Sequence, residues 1–180
     1  MLFRSADAVV TNGAGNFTVW LHRFYTFRRY RTQLAPCSGA MGYGIPAAVA
    51  AKVLHPERSV VCVAGDGDFL MSAHELAAAA QEGAPIVVLL ANNGMYGTIR
   101  MHQERQFPGR VHGTDLVNPD FVRLAEAYGA HAELVERNME FPDAFERALA
   151  AGRPAVVELR VDPEAITPQA TLSAIRAGAA

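Results

Sequence analysis

Continuous apolar runs alternate along this chain with segments whose apolar residues recur at helical spacing. The runs predict buried strands at residues 7–11, 59–64, 85–91, 130–135 and 155–161. The other segments predict a glycine-rich loop with a buried helix at 39–54, and helices at 72–82, 119–128, 140–150 and 172–177. Strands without polar alternation are typical of parallel sheets covered on both faces. We therefore predict one α/β domain over residues 1–180, a three-layer α/β/α arrangement around a mostly parallel sheet.

The helix predicted at residues 72–82 carries its own start and stop signals. Ser72 and Glu75 have the spacing of an N-terminal capping box. Gly83 follows the last apolar position and predicts the C-terminal stop.

Composition narrows the class of protein without indicating a chemistry. The chain has 180 residues, 51% of them hydrophobic, and a net charge of −2, which excludes a disordered chain and an overall basic field for nucleic acid. No apolar run approaches the roughly 20 residues that span a bilayer, and we read no secretion signal at the N-terminus. Cys37 and Cys62 are too few for a disulfide scaffold, so we expect two packed thiols and a cytoplasmic protein.

Polar clusters follow two consecutive predicted strands. Gly65-Asp66-Gly67 ends the strand at 59–64, and Asn92-Asn93-Gly94 ends the strand at 85–91. A βαβ unit places both strand ends at one edge of the sheet, where ligands of such folds bind. Carboxylate, amide and carbonyl oxygens suit Mg²⁺, while the N–H groups of a glycine turn favour a diphosphate. The sequence therefore predicts a Mg-diphosphate site at this edge.

These motifs resemble a known family. A GDG triplet, an interval in the twenties and an NN pair are characteristic of the C-terminal diphosphate-binding domain of thiamine-diphosphate enzymes, in the acetolactate synthase and benzoylformate decarboxylase group. A second family element, GxMGxxxP, is matched by Gly39-Ala40-Met41-Gly42 with Pro46. The likeness extends from Asp7 through Pro168.

The resemblance implies roles for individual positions. Asp66 and the Asn93 side chain would bind Mg²⁺ with the Met95 carbonyl. Met41 would be the apolar wedge that bends the cofactor, and the Gly39 carbonyl and Met41 N–H would hold its pyrimidine at the catalytic end. The cofactor-binding positions implied in all are Gly39, Met41, Gly65, Asp66, Gly67, Asp68, Asn93, Met95, Tyr96 and Gly97.

The resemblance also implies an activity and its partners. Thiamine diphosphate and Mg²⁺ would act on a 2-keto acid, with acetolactate synthase-like carboligation favoured over aldehyde-forming decarboxylation. The glutamate that activates the cofactor belongs to a pyrimidine-binding domain, usually of a neighbouring subunit, so we expect a homodimer and a chain that is inactive alone. The chain would be a fragment or separate subunit of a three-domain architecture, with no nucleic-acid or membrane partner. A catalytically inactive cofactor-binding or assembly module is the alternative.

Departures from the family pattern leave parts of this interpretation open. Asp68 stands where a small or hydroxyl residue is usual, so its charge must be turned away from the diphosphate or screened by the metal. His102 stands where the family has a tryptophan of the acceptor pocket, so the resemblance does not identify the substrate. A weaker alternative, a nicotinamide-binding domain, rests on Gly13 and Gly15 after the first strand, but Thr18 occupies the third glycine position and no helix is predicted there.

Overall fold

A six-stranded parallel sheet lies at the centre of the computed structural model, which describes residues 5–178. The strands are β1 (Val9–Asn12), β2 (Gln33–Leu34), β3 (Val60–Gly65), β4 (Val87–Asn92), β5 (His131–Val135) and β6 (Ala155–Arg160). The helices are α1 (Phe17–Phe24), α2 (Gly44–Leu54), α3 (Asp66–Leu70), α4 (Glu75–Gln81), α5 (Gly97–Gln106), α6 (Phe121–Ala127), α7 (Phe141–Ala150) and α8 (Leu172–Arg176), with a 3-10 turn at Asn138–Glu140. No helix among these residues is long and apolar enough to span a membrane.

The strand order is β2-β1-β3-β4-β6-β5, and every neighbouring pair is parallel. The predicted fold class is therefore confirmed. β3 and β4 are adjacent, with Cys62 opposite Val88 and Gly65 opposite Ala91. This register places the two polar clusters next to each other, because both follow directly from the ends of these strands.

The two faces of the sheet are covered unequally. On one face, α2, α4 and α6 bury a continuous core that includes Ile45, Leu76 and Leu90. Phe69 and Phe121 join this core in an edge-to-face contact, with 5.5 Å between ring centroids. On the other face, α1 and α7 contribute to a smaller core. Among the described residues, α2, α3, α4 and α6 thus contribute to the core on one face of the sheet, and α1 and α7 to the core on the other.

The chain after β6 crosses back over α5. Ile166, Leu172 and Ile175 pack with Met101 of α5 in a separate apolar cluster. Beside it, Glu104 is 1% exposed and accepts hydrogen bonds from Arg176, Arg100 and the Gly109 N–H. The Arg176 guanidinium is the largest influence lowering the pKa of Glu104 to about 2, followed by the bond from Gly109. We call residues 162–178 the C-terminal strap.

Several elements were not predicted, for physical reasons. α5 buries only Met101 and Glu104, and its one other large apolar residue, Ile99, is exposed, so it shows no amphipathic pattern to detect. α1 directly follows a glycine-rich segment and runs into an arginine-rich one, and the expectation of no helix there was wrong. α3 begins at Asp66 itself, inside the motif that predicted a loop.

Two local predictions need correction. Helix α4 begins at Glu75, and the buried Ser72 Oγ has no hydrogen-bond partner within residues 5–178, so Ser72 and Glu75 form no capping box. The stop at Gly83 is confirmed, since its φ of +58° is the left-handed conformation that glycine favours. Cys37 is exposed rather than packed, whereas Cys62 is buried and burial raises its pKa to about 12.

Replacing Glu104 with Gln should lower the free energy of unfolding at pH 7 by roughly 2 kcal/mol, because hydrogen bonds to charged groups contribute about 1.5–3 kcal/mol. The folded pKa lies below the usual 4.5. The stabilisation is therefore fully present above that value and is lost as the pH falls from 4.5 towards about 2. Urea unfolding at a series of pH values would measure both effects. The exposed Glu126→Gln is the control; an unchanged acid slope in Glu104→Gln would contradict the assignment.

Candidate functional site

A cleft of about 1270 Å³ opens at the carboxyl ends of β3 and β4. It continues from there along the less covered face of the sheet, between α1 and α7. All the positions expected to contact the cofactor line it: Gly39, Met41, Gly65, Asp66, Gly67, Asp68, Asn93, Met95, Tyr96 and Gly97. The structure thus brings together residues that the sequence separates by up to 58 positions (97 − 39). His102, by contrast, is exposed and is not part of the cleft wall.

Asp66 is the carboxylate at the centre of this edge, and it is 2% exposed. Its Oδ1 accepts a hydrogen bond from the Gly67 N–H at 3.0 Å. Its Oδ2 accepts from the Gly94 N–H and from Nδ2 of Asn118, each at 2.8 Å. Burial of an ionised carboxylate is tolerated only with such donors. Asp66 is therefore held by the end of its own strand, by the turn after β4 and by the loop before α6.

Asn92 and Asn93 follow one another but serve different purposes. Asn92 is buried, donates to Glu158 Oε1 at 2.7 Å, and accepts from the Gly94 N–H and Asn118 Nδ2 at 3.1 Å. Asn93 lines the cleft, and its Oδ1 accepts from the Met95 N–H at 3.2 Å. Successive residues of a strand point to opposite sides, which explains the difference. Asn93 alone of the pair presents its side chain to the cleft.

Two glycines of the cleft have no room for a side chain. A Cβ on Gly67 would lie 2.5 Å from the Tyr96 ring. A Cβ on Gly97 would lie 2.9 Å from the Ile166 side chain of the C-terminal strap and 3.1 Å from Asn93 Nδ2. The space that a side chain would fill is occupied by Tyr96 at Gly67, and by Ile166 and Asn93 at Gly97, so only glycine permits this close packing beside the cleft.

The residues at this edge fit a magnesium ion and a diphosphate. Asp66 and Asn93 offer a carboxylate and an amide oxygen, and Met95 offers a backbone carbonyl in the same cleft. Within residues 5–178 no group of three or more His, Cys, Asp or Glu is placed to hold a metal. A single carboxylate with neutral oxygen ligands is typical of Mg²⁺, which keeps waters and substrate phosphates in its coordination sphere.

Asp68 shows how the chain accommodates an extra acidic residue at this edge. Its Oδ1 accepts a hydrogen bond from the Gly42 N–H at 2.7 Å and a longer one from the Ala14 N–H at 3.4 Å. Burial raises the pKa of Asp68, and these backbone donors oppose the increase. A Cβ on Gly13 would lie 1.9 Å from Oδ1, so the carboxylate occupies space that only glycine leaves. The side chain is turned towards the loop that carries Met41, which is 37% exposed in the cleft.

Sequence reasoning missed three polar residues of this region. Asn118 contacts Asp66, and Glu158 contacts Asn92 from the adjacent strand β6. Asn16 accepts from Thr98 Oγ1 at 2.8 Å and donates to the Ile166 carbonyl at 3.0 Å, so it joins the start of α1 to α5 and the C-terminal strap. Only Glu158 gave a signal in the sequence, since it is a charged residue directly after the apolar residues Ala155, Val156 and Val157 of its strand.

Residues 13–159 match the family described as thiamine pyrophosphate enzyme, C-terminal TPP binding domain. The chain belongs to this family. The TPP-binding domain resembles acetolactate synthase of Mycobacterium leprae (strain TN), with 39% identity over 166 residues that cover 88% of this chain and 27% of that protein. It is also similar to the large subunit of acetolactate synthase isozyme 2 of Escherichia coli (strain K12), with 33% identity, 88% of this chain and 29% of that protein.

A solved structure gives the same result for the fold. The TPP-binding domain superimposes on the thiamine diphosphate-dependent 4-hydroxybenzoylformate decarboxylase of Rhodococcus jostii RHA1 with a TM-score of 0.81 and 34% sequence identity. The match covers 87% of this chain and 30% of that one. The chain thus spans between a quarter and a third of the length of these relatives.

Asp68→Ala should lower the free energy of unfolding of the TPP-binding domain by about 1–3 kcal/mol, because it removes the acceptor that the buried Asp68 carboxylate offers to the partly buried Gly42 N–H. Asp68→Asn should cost less, since the amide oxygen can still accept while the buried charge is removed. Urea unfolding at pH 7 measures both. Asp162→Ala, an exposed change at the same edge of the sheet, controls for the loss of an acidic residue. Equal stability of wild type and Asp68→Ala would show that the Asp68 contact is dispensable.

Proposed function

We propose that this chain binds the diphosphate of thiamine diphosphate together with Mg²⁺, as part of an acetolactate synthase-like enzyme that acts on 2-keto acids. One observation carries the proposal. Asp66 and Asn93, which follow two adjacent strands, line the same cleft as Met95, Gly67 and Gly97. Membership of the TPP-binding family supports the choice of cofactor.

In this proposal the metal would be held by the Asp66 carboxylate, the Asn93 amide oxygen and the Met95 carbonyl. Gly67, Asp68 and the 94–97 turn would approach the diphosphate through their backbone. Met41 would support the bent cofactor, with Gly39 and the Met41 N–H directed at its pyrimidine. When bound, thiamine diphosphate supplies an electron sink for the carbanion that a 2-keto acid leaves on losing carbon dioxide. The protein contributes binding, orientation and exclusion of water.

The unequal covering of the sheet supports a partner. The cleft extends over Val63, Leu89 and Leu159 on the face that has only α1 and α7, with Tyr25 and Phe145 among its walls. Contiguous apolar surface in an open cleft marks an interaction site in soluble proteins. We propose that a pyrimidine-binding domain of another chain or subunit packs at this cleft and supplies the activating glutamate, within a homodimer. The chain alone would then be inactive.

Two kinds of relative bear on the choice between carboligation and decarboxylation. Acetolactate synthases among the relatives favour carboligation, whereas the Rhodococcus jostii decarboxylase favours release of an aldehyde as the alternative. The exposed position of His102, outside the cleft wall, leaves acceptor selection to other residues. A catalytically inactive cofactor-binding or assembly module is the second candidate. The cytoplasm is the compartment that suits two unpaired cysteines.

Calorimetric titration of thiamine diphosphate into the chain with Mg²⁺ tests the cofactor proposal. We expect saturable binding that EDTA abolishes and that Asp66→Ala weakens more than about 100-fold, because loss of outer-sphere partners alone costs about 10–100-fold. Asp162→Ala should bind as the wild type does. Binding that is indifferent to EDTA and to Asp66→Ala would contradict the assigned metal ligands.

Pyruvate consumption tests the partner proposal. We expect no turnover by the chain alone and turnover after addition of a separately expressed pyrimidine-binding domain from one of the relatives, because the activating glutamate would come from that domain. Turnover by the purified chain alone would contradict the proposed half site. A matched mixture containing Asp66→Ala distinguishes catalysis at this cleft from contaminating activity.

A further inference from the structure

Asn118 lies between two polar residues that follow different strands. It belongs to the loop that joins α5 to α6, two residues before Asp120, the N-cap of α6. Its Nδ2 donates to Asp66 Oδ2 at 2.8 Å and to Asn92 Oδ1 at 3.1 Å. Both bonds use the same nitrogen, so the amide joins the end of β3 to the end of β4.

The orientation of this amide follows from its neighbours. Asn92 Nδ2 donates to the buried Glu158 carboxylate, and the Gly94 N–H donates to Asn92 Oδ1, so Asn92 must present its oxygen towards the loop. Asp66 Oδ2 is likewise an acceptor. Asn118 therefore faces two acceptors and can satisfy them only through its –NH₂ group. Its own Oδ1 is buried and has no hydrogen-bond partner in the described part of the chain.

The two carboxylate oxygens of Asp66 accept different numbers of hydrogen bonds. Oδ2 accepts from both Asn118 and the Gly94 N–H, whereas Oδ1 accepts from the Gly67 N–H alone among the described residues. An ionised carboxylate has about four acceptor positions. Asp66 therefore keeps its acceptor capacity mainly on Oδ1. An unsatisfied amide oxygen on Asn118 costs free energy, and proteins tolerate such costs at functional sites.

We propose that Asn118 is a positioning residue for the metal site: it holds Asp66 Oδ2 so that Oδ1 is the oxygen offered to Mg²⁺. This inference rests on the proposed function. Arg160 extends the same network to the carboxyl end of β6, since its Nε lies 3.0 Å from Glu158 Oε1. The hydrogen-bonded series Arg160–Glu158–Asn92–Asn118–Asp66 thus connects β6, β4 and the loop before α6 to one carboxylate.

Binding of Mn²⁺, measured by electron paramagnetic resonance in the presence of thiamine diphosphate, tests the role of Asn118. In Asn118→Ala the Mn²⁺ concentration for half-saturation should rise about 10–100-fold. The affinity for thiamine diphosphate at saturating Mn²⁺ should change by less than about threefold, a separation that general loss of structure would not produce. Asp120→Ala, which disturbs the same loop without touching Asp66, should retain wild-type metal affinity. Equal Mn²⁺ affinity in wild type and Asn118→Ala, or equal losses in Asn118→Ala and Asp120→Ala, would overturn the proposal.

A double-mutant cycle on the metal-free chain separates this inference from the proposed function. Asp66→Ala, Asn118→Ala and the double variant are compared by urea unfolding, and the effects on the unfolding equilibrium constant should be non-additive by about fivefold or more. Additive effects would overturn the positioning role whatever the cofactor. If the coupling is present but the wild type binds no thiamine diphosphate with Mn²⁺, the proposed function fails and the metal-positioning role fails with it, whereas the contact itself stands.

Discussion

The rest of the site depends on one buried carboxylate. Asp66 is 2% exposed, and a charge in that position needs hydrogen-bond donors from the surrounding protein. Gly67, Gly94 and Asn118 provide them from three separate segments of the chain. The first turn of α3, the turn after β4 and the loop before α6 are therefore held in one arrangement, because each must place its donor within about 3 Å of the same group.

The sheet explains why these segments meet. Parallel pairing sets Gly65 opposite Ala91, so the chain leaves both strands at the same level and the polar clusters come together without a long loop between them. The same edge receives the Met41 loop, which Asp68 binds through the Gly42 N–H. Two acidic residues separated by one glycine thus contact different segments. Asp66 contacts the turn after β4, and Asp68 contacts the loop before α2. This division keeps the second carboxylate occupied with backbone donors.

The two faces of the sheet are covered by helices to different extents. Helices α2, α3, α4 and α6 contribute to the core on one face, whereas α1 and α7 leave an apolar cleft on the other that is continuous with the polar edge. A parallel sheet is stable when both faces are covered. The polar edge and the apolar cleft belong to one surface, so the partner proposed above would reach both. The C-terminal strap contributes to the wall of the same cleft, where Ile166 lies against Gly97 and accepts a hydrogen bond from Asn16 through its carbonyl.

The sequence alone determined the fold class and the strands β1, β3, β4, β5 and β6, because apolar runs report burial on both faces. It also determined that the GDG and NN clusters meet at one edge of the sheet, because a parallel crossover constrains where consecutive strands end. That the GxMG segment belongs to the same site was implied by the family resemblance. Only the tertiary structure decided that Asn92 is buried while Asn93 faces the cleft, that Asp68 turns to Gly42, and that Asn118 reaches Asp66. Each of those contacts joins residues on different elements, or depends on which side of a strand a residue points. Local sequence carries no record of either, since a loop asparagine reads only as a turn former until the sheet brings an acceptor to it.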